Sequence, residues 1–170
     1  MASRRYVGMP YFFMKIGIIS DSHDNVPLVK KAVDLFNIKQ VELVIHAGDY
    51  IAPFSVKELL KLKSGFIGVF GNNDGEKEGI RNVCKNIFEA PYTFELNSKK
   101  ITVIHDIGKL EASLKHISDI VIYGHTHKAE IKKGKPLFIN PGECGGWING
   151  ISTVVIFDFD KMAGEIVKIS

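Results

Sequence analysis

The chain has 170 residues, a net charge of +3, and 45% apolar with 24% charged side chains, the composition of one folded domain and not of a disordered chain. Its lysines, such as Lys30-Lys31, Lys99-Lys100 and Lys132-Lys133 with Lys135, stand in short groups among acidic residues, which argues against a polyanion track. Two cysteines, Cys84 and Cys144, exclude a disulfide framework and point to a reducing, cytoplasmic setting, and no apolar run approaches the roughly 20 residues that span a bilayer.

Residues 1–13 carry no pattern that belongs to a core, and Arg4 and Arg5 are not followed by a long apolar stretch, so neither a signal peptide nor a membrane anchor is read there. They are set aside as an N-terminal extension to a single domain over 14–170. Lys15 to Ser20 then reads as a strand buried on both faces. Asn25 is placed to cap a helix in which Val26, Val29, Val33 and Phe36 recur at helical spacing, with Pro27 in its first turn. A second strand, Val41 to His46, leads through Gly48 and Asp49 to a helix over Pro53 to Leu62, whose apolar face is expected from Phe54, Val56, Leu59 and Leu60. A third strand, Gly65 to Phe70, ends at Gly71. This alternation predicts parallel strands with crossover helices.

The second half is strand-rich: Tyr92 to Leu96, Lys100 to His105, Asp119 to Tyr123, Leu137 to Asn140, Thr153 to Phe159 and Glu165 to Ile169. Helical segments are expected near Glu76 to Lys85 and Lys109 to His116, and hairpin turns at Asn97-Ser98, Lys133-Gly134-Lys135 and Ala163-Gly164. The order predicts two packed sheets with outer helices, and no repeat or linker marks a boundary.

Metal-capable side chains stand at the carboxyl ends of successive strands: Asp21 and His23, Asp49, Asn72 and Asp74, His105, then His125 and His127. In open α/β sheets that rim is where ligands bind. The pairs Asp21 with His23 and His125 with His127 are two residues apart, a spacing that puts both on one face of an extended chain. Gly48, Gly71 and Gly124 are read as letting the backbone turn sharply and approach the ions. Carboxylates, imidazoles and one amide oxygen suit Mn²⁺, Fe²⁺, Ni²⁺ or Zn²⁺, manganese first, and not an all-oxygen Ca²⁺ cage. Two ions about 3.5–4 Å apart that share Asp49 would hold a bridging hydroxide for in-line displacement at phosphorus.

Asp21-Ser22-His23, Gly48-Asp49, Gly71-Asn72-Asn73-Asp74, His105 and Gly124-His125-Thr126-His127 together resemble the five ordered motifs of the calcineurin-like metallophosphoesterase superfamily, with a size similar to its YfcE-like branch of compact phosphodiesterases. The resemblance implies an α/β fold, a four-layer αββα sandwich of two mixed sheets. It implies one ion on Asp21, His23 and His127, a second on Asn72, His105 and His125, and Asp49 between them. It also implies a small phosphodiester substrate, with Asn72 and Asn73 near the phosphate. Two departures stand out: Asn73 replaces the histidine that commonly protonates the leaving group, and Asp106 replaces the glycine that commonly follows His105. An amide cannot donate a proton near neutral pH, so hydrolysis is expected to depend on leaving-group acidity.

His46 is read as structural, His116 as a helix-end residue, and Cys84 as a small buried apolar side chain. Asp74 and Asp24 are candidates for orienting an imidazole, Asp24 being more readily a turn or cap residue. Glu143 or Cys144 is a candidate substrate contact. Trp147 with Phe12 and Phe13 is a candidate apolar patch for homo-oligomerisation. The rivals are a noncatalytic scaffold, the role the same superfamily fold plays in the vacuolar-sorting retromer complex, and a nuclease, for which no clear nucleic-acid patch is visible.

Overall fold

Ile16, Ile18 and Ile19 are wholly buried in the first strand, β1 (Lys15–Ile19), because apolar layers cover both of its faces. The structure is a computed structural model and describes residues 14–170; the expected extension, with Phe12 and Phe13, lies outside the described residues. Helix α1 (Val26–Ile38) follows and buries Val29, Ala32, Val33 and Phe36. Asn25 occupies the N-cap position, but its side chain does not cap: the amide donates instead to the Gly145 carbonyl at 2.8 Å, tying the helix start to a loop 120 residues away. Strand β2 (Leu43–His46) and helix α2 (Pro53–Leu59) come next. α2 is shorter than the apolar pattern predicts, and its inner face is Ser55, Val56, Glu58 and Leu59, while Phe54 and Leu60 are exposed. The Ser55 hydroxyl finds the Tyr50 and Ala52 carbonyls, which lets a polar residue take the inner position.

Strand β3 (Gly65–Val69), helix α3 (Lys77–Val83) and the two-residue β4 (Ile87–Phe88) complete the first half. Then come β5 (Tyr92–Leu96), β6 (Lys99–Val103), a 3-10 turn at Ile107–Lys109, helix α4 (Ala112–Ile117), β7 (Ile120–Ile122), β8 (Glu130–Lys132), β9 (Leu137–Asn140), β10 (Thr153–Asp158) and β11 (Ala163–Lys168). β4 and β8 escape the sequence reading: one is two residues long and the other, Glu-Ile-Lys, has a single apolar residue. The helical segment expected from Lys109 is split because Asp106 accepts the Gly108 N–H at 2.9 Å and caps a separate 3-10 turn. Ala163-Gly164 lies inside β11 and not in a turn.

The first sheet has the order β11-β10-β1-β2-β3-β4, with β1 to β4 parallel and β10 and β11 antiparallel. The second has the order β5-β6-β7-β9-β8 and is likewise mixed. Asn97 and Ser98 both have positive φ, 47° and 61°, the two-residue geometry that closes the β5–β6 hairpin. Ile16, Ile18 and Ile45 meet Ile101, Ile120, Ile122 and Ile139 between the sheets, while Phe36, Val33, Val56 and Ile80 pack α1 to α3 on the outer face of the first sheet. Ile107 and Leu110 cover Val121 and Tyr123 on the far side. The layers therefore run helix, sheet, sheet, helix, the expected αββα sandwich. The carboxyl ends of β1, β2, β3, β6 and β7 open on one rim.

Candidate metal centre

Beyond Ile19 the chain does not stop pairing. The N–H groups of Asp21, His23 and Asp24 donate to the carbonyls of Gly48, Asp49 and Tyr50, at 3.0, 3.1 and 3.2 Å, so the loops after β1 and β2 are zipped together. Yet neither loop is extended. Asp21, His23, Asp49, His125 and His127 all have left-handed backbones, with φ of 51°, 42°, 63°, 66° and 58°. Such a conformation costs a non-glycine residue of order 1 kcal/mol or more and persists where the surroundings fix it. Asp21 and His23 converge, but not through the extended-chain alternation that their spacing suggests; of the second pair, His127 joins them while the His125 ring lies beside His105.

The convergence is close. Asp21 Oδ1 lies 3.8 Å from His23 Nε2, 3.4 Å from His127 Nε2 and 3.9 Å from His105 Nε2. Asp49 Oδ2 lies 3.6 Å from His23 Nε2 and 3.3 Å from His105 Nε2, between an imidazole of each half of the cluster. Ligand atoms of Asp21, His23 and His127, and again of Asp21, Asp49 and His105, gather within 4.8 Å of one another. His125 is exposed, with its ring edge-on to His105 at 5.2 Å between centroids, and its N–H donates to Asp21 Oδ2 at 3.1 Å. Asn72 is exposed at the same rim, between Gly71 and Asn73. Asn73 turns inward: its N–H and its amide donate to the two Asp49 oxygens at 2.9 and 2.7 Å, which orients that carboxylate, a role the sequence reading did not assign.

Glycine acts here mainly by leaving room. A Cβ on Gly71 would strike the Asp49 backbone nitrogen at 2.6 Å, and one on Gly124 would meet Asp21 Oδ2 at 2.6 Å. Gly48 alone of the three is left-handed, with φ of 105°.

Within the cluster the carboxylates and imidazoles shift one another's protonation. Burial works against ionisation of Asp21 and Asp49, but His23 beside the first and His105 beside the second outweigh it and hold both below the usual carboxylate range. The Asp21 carboxylate raises His23, and Asp49 raises His105 against its burial. His105 Nδ1 donates to the Ala47 carbonyl at 2.8 Å, so a neutral ring turns the Nε2 lone pair toward the carboxylates. Asp21 Oδ1, His23 Nε2 and His105 Nε2 are buried without a hydrogen-bond partner. Donor atoms about 2.0–2.2 Å from a shared ion stand roughly 3–3.5 Å apart, close to the separations above, so this donor set fits divalent cations.

The surrounding groups correct several expectations. Asp74 orients no imidazole; its carboxylate accepts the N–H groups of Asp49, Tyr50, Ile51 and Gly71 at 2.7–3.0 Å and holds the loop that carries Asp49. Burial pushes its carboxyl up, and these donors pull the other way. Asp24 accepts the Ala52 N–H at the start of α2, a cap and not an imidazole partner. Glu143 is buried beneath the site beside His127 Nδ1, and Cys144 is buried with its thiol pushed up to about 12, so neither faces substrate. His46 is structural as expected: its Nδ1 accepts the Gly48 N–H, which leaves Nε2–H for Ser22 Oγ, and burial pushes it down to about 3.

A two-sheet αββα sandwich with buried carboxylates facing imidazoles at the strand ends defines an α/β protein with a candidate metal site. Its sequence matches the calcineurin-like phosphoesterase superfamily domain over residues 14–162, and the chain belongs to that superfamily. It is similar to a phosphodiesterase of Methanocaldococcus jannaschii, 42% identical over 157 residues that cover 87% of this chain and 95% of the relative. It is also similar to phosphodiesterase YfcE of Escherichia coli strain K12, 26% identical over 76% of this chain and 78% of that protein. A solved structure described as a novel archaeal phosphodiesterase superposes with a TM-score of 0.81 at 36% identity, covering 91% of this chain and 99% of the other. Among the described residues no helix is long and apolar enough to cross a membrane.

Proposed function

We propose that this protein is a divalent-metal-dependent phosphodiesterase acting on small phosphodiesters. The observation that carries the reading is the cluster itself: two buried carboxylates face imidazole nitrogens that have no other partner, on the rim where the strands end. Asp21, His23 and His127 would hold one ion, His105, His125 and Asn72 a second, and Asp49 would serve both. Manganese is the first candidate, with nickel, iron or zinc acceptable to the same donors. When bound, two such ions supply positive charge to the phosphate oxygens and lower the pKa of water.

The chain's own groups do the rest. Asn73 orients Asp49, Asp74 fixes the backbone from Asp49 to Ile51, and the Ala47 carbonyl sets the His105 tautomer. No imidazole stands at position 73 to protonate a departing alkoxide, so the reading favours esters with acidic leaving groups. The cytoplasmic assignment rests on two cysteines that are buried and free.

The test is to strip and restore divalent metal and follow aryl phosphodiesters, aryl phosphomonoesters, and single-stranded and duplex nucleic acid side by side. Metal-dependent turnover of the small diesters is the expected result. Failure of every substrate with every metal would leave the scaffold role standing, and preference for nucleic acid would make the protein a nuclease.

A further inference from the structure

Trp147, Ile148 and Ile151 are 66%, 69% and 48% exposed on a single loop beside the metal centre. The loop is fastened at several points. The Trp147 N–H donates to Glu143 Oε1 at 2.7 Å, its indole Nε1–H donates to the His23 carbonyl at 3.1 Å, and the Asn149 amide donates to the His127 carbonyl at 3.2 Å. The two residues whose imidazoles flank Asp21 thus also hold this loop through their backbones. A Cβ on Gly145 would meet Trp147 Cδ1 at 2.9 Å, so the indole lies along the Gly145 turn.

The indole edge is fixed while most of its surface is open. A large apolar ring in water is ordinarily unfavourable, and a fixed one marks a contact surface. A phosphodiester held at the rim presents two ester groups, and only one leaves. The carboxylate–imidazole cluster deals with the charged phosphorus; it offers no apolar surface to the ester that stays.

We propose that Trp147, with Ile148 beside it, is the wall that receives the retained ester group, and that it selects a flat, apolar group over a small alkyl one. This rests on the phosphodiesterase reading and deepens it. Binding energy from such a remote group is a recognised way to raise turnover at the reacting phosphorus.

Two probes isolate the wall: methyl para-nitrophenyl phosphate and phenyl para-nitrophenyl phosphate share a leaving group and differ only in the retained ester. With manganese-loaded protein, the phenyl ester is expected to have the higher kcat/KM, and Trp147→Ala to reduce the phenyl-to-methyl ratio about two- to tenfold. Trp147→Phe, which keeps a flat face and loses the Nε1–H, should retain most of that ratio. Trp147 is the single tryptophan in the chain, so phenylphosphonate, and not methylphosphonate, should also change the intrinsic emission of the wild-type protein. An unchanged ratio in Trp147→Ala with turnover intact overturns the wall alone, as does an emission blind to phenylphosphonate. Absence of turnover of both esters by the wild type removes the phosphodiesterase reading itself. Light scattering runs in parallel: a dimer that dissociates in Trp147→Ala assigns this face to a second copy and also overturns the proposal.

Discussion

Glu143 Oε2 lies 3.3 Å from Nδ1 of His127, on the side of the ring away from Asp21. The same carboxylate accepts the N–H groups of Trp147 and Ile148, so it is buried but compensated. The Glu143 carboxylate stands within ion-pair distance of Nδ1 without hydrogen-bonding to it, and its negative charge favours the tautomer that carries the proton on Nδ1 and turns the Nε2 lone pair, 3.4 Å from Asp21 Oδ1, toward the cluster. Glu143→Gln keeps the shape and loses the charge. It is expected to weaken Mn²⁺ binding about tenfold or more in calorimetric titration, with the circular dichroism spectrum unchanged. Wild-type affinity in that variant would mean that Glu143 merely supports the loop.

Ion binding should also stabilise the fold, since the unfolded chain cannot hold the cluster together. At a free Mn²⁺ concentration about 100 times its dissociation constant the gain is about 2.7 kcal/mol, visible as a rise in the thermal midpoint of chelator-treated protein. Asp49→Ala should remain folded, lose most of that rise and lose turnover. His116→Ala, exposed in the last turn of α4, should keep both within twofold. A wild-type midpoint that ignores divalent metal would contradict the site.

The two-sheet architecture and the candidate ligand residues were legible for different reasons. Strands such as β1 and β2 are buried on both faces and therefore read as unbroken apolar runs, whereas β4 and β8 take their pairing from neighbours and show no periodicity of their own. The ligand types and their order along the chain pointed to the rim. Their left-handed backbones did not show, because φ is imposed by the zipped loops and by the space that Gly71 and Gly124 leave. Asn25 and Asp74 were misread because each spends its side chain on backbone groups that the fold brings near from far along the chain, whereas Glu143 turns to the N–H groups of its own loop, four and five residues on, whose turn geometry the Pro-Gly-rich sequence does not specify.

His46 makes a prediction about acid. Burial holds its folded-state pKa near 3, below the 6.5 of an exposed imidazole. The neutral form is favoured in the fold, so its contribution is present above pH 6.5 and is lost as pH falls toward 3. From pH 7 to pH 5 this amounts to about 2 kcal/mol, at roughly 1.4 kcal/mol per unit once the unfolded chain is protonated. In His46→Asn, where the amide oxygen can take over the Gly48 N–H, the urea midpoint of metal-free protein should depend less steeply on pH over that interval. Parallel pH profiles for the two proteins would exclude His46 as the group responsible.

Asp74 is the support whose removal should cost most. Its Oδ1 accepts the N–H groups of Tyr50 and Ile51, and its Oδ2 those of Asp49 and Gly71. The segment it holds includes left-handed Asp49 and Ile51, with φ of 63° and 85°, conformations that the side chains themselves resist. Asp74→Asn leaves one oxygen for one pair of donors and turns an amide NH₂ on the other pair. Charge-assisted hydrogen bonds are worth about 1.5–3 kcal/mol each, so a loss of at least about 3 kcal/mol in urea unfolding is expected. The damage should be local before it is global: amide hydrogens of Asp49, Tyr50, Ile51 and Gly71 should exchange faster than in the wild type, and Mn²⁺ affinity should fall because Asp49 is no longer held in place. If those four amides exchange at the wild-type rate while the protein is merely less stable overall, Asp74 is not what shapes the loop that carries Asp49.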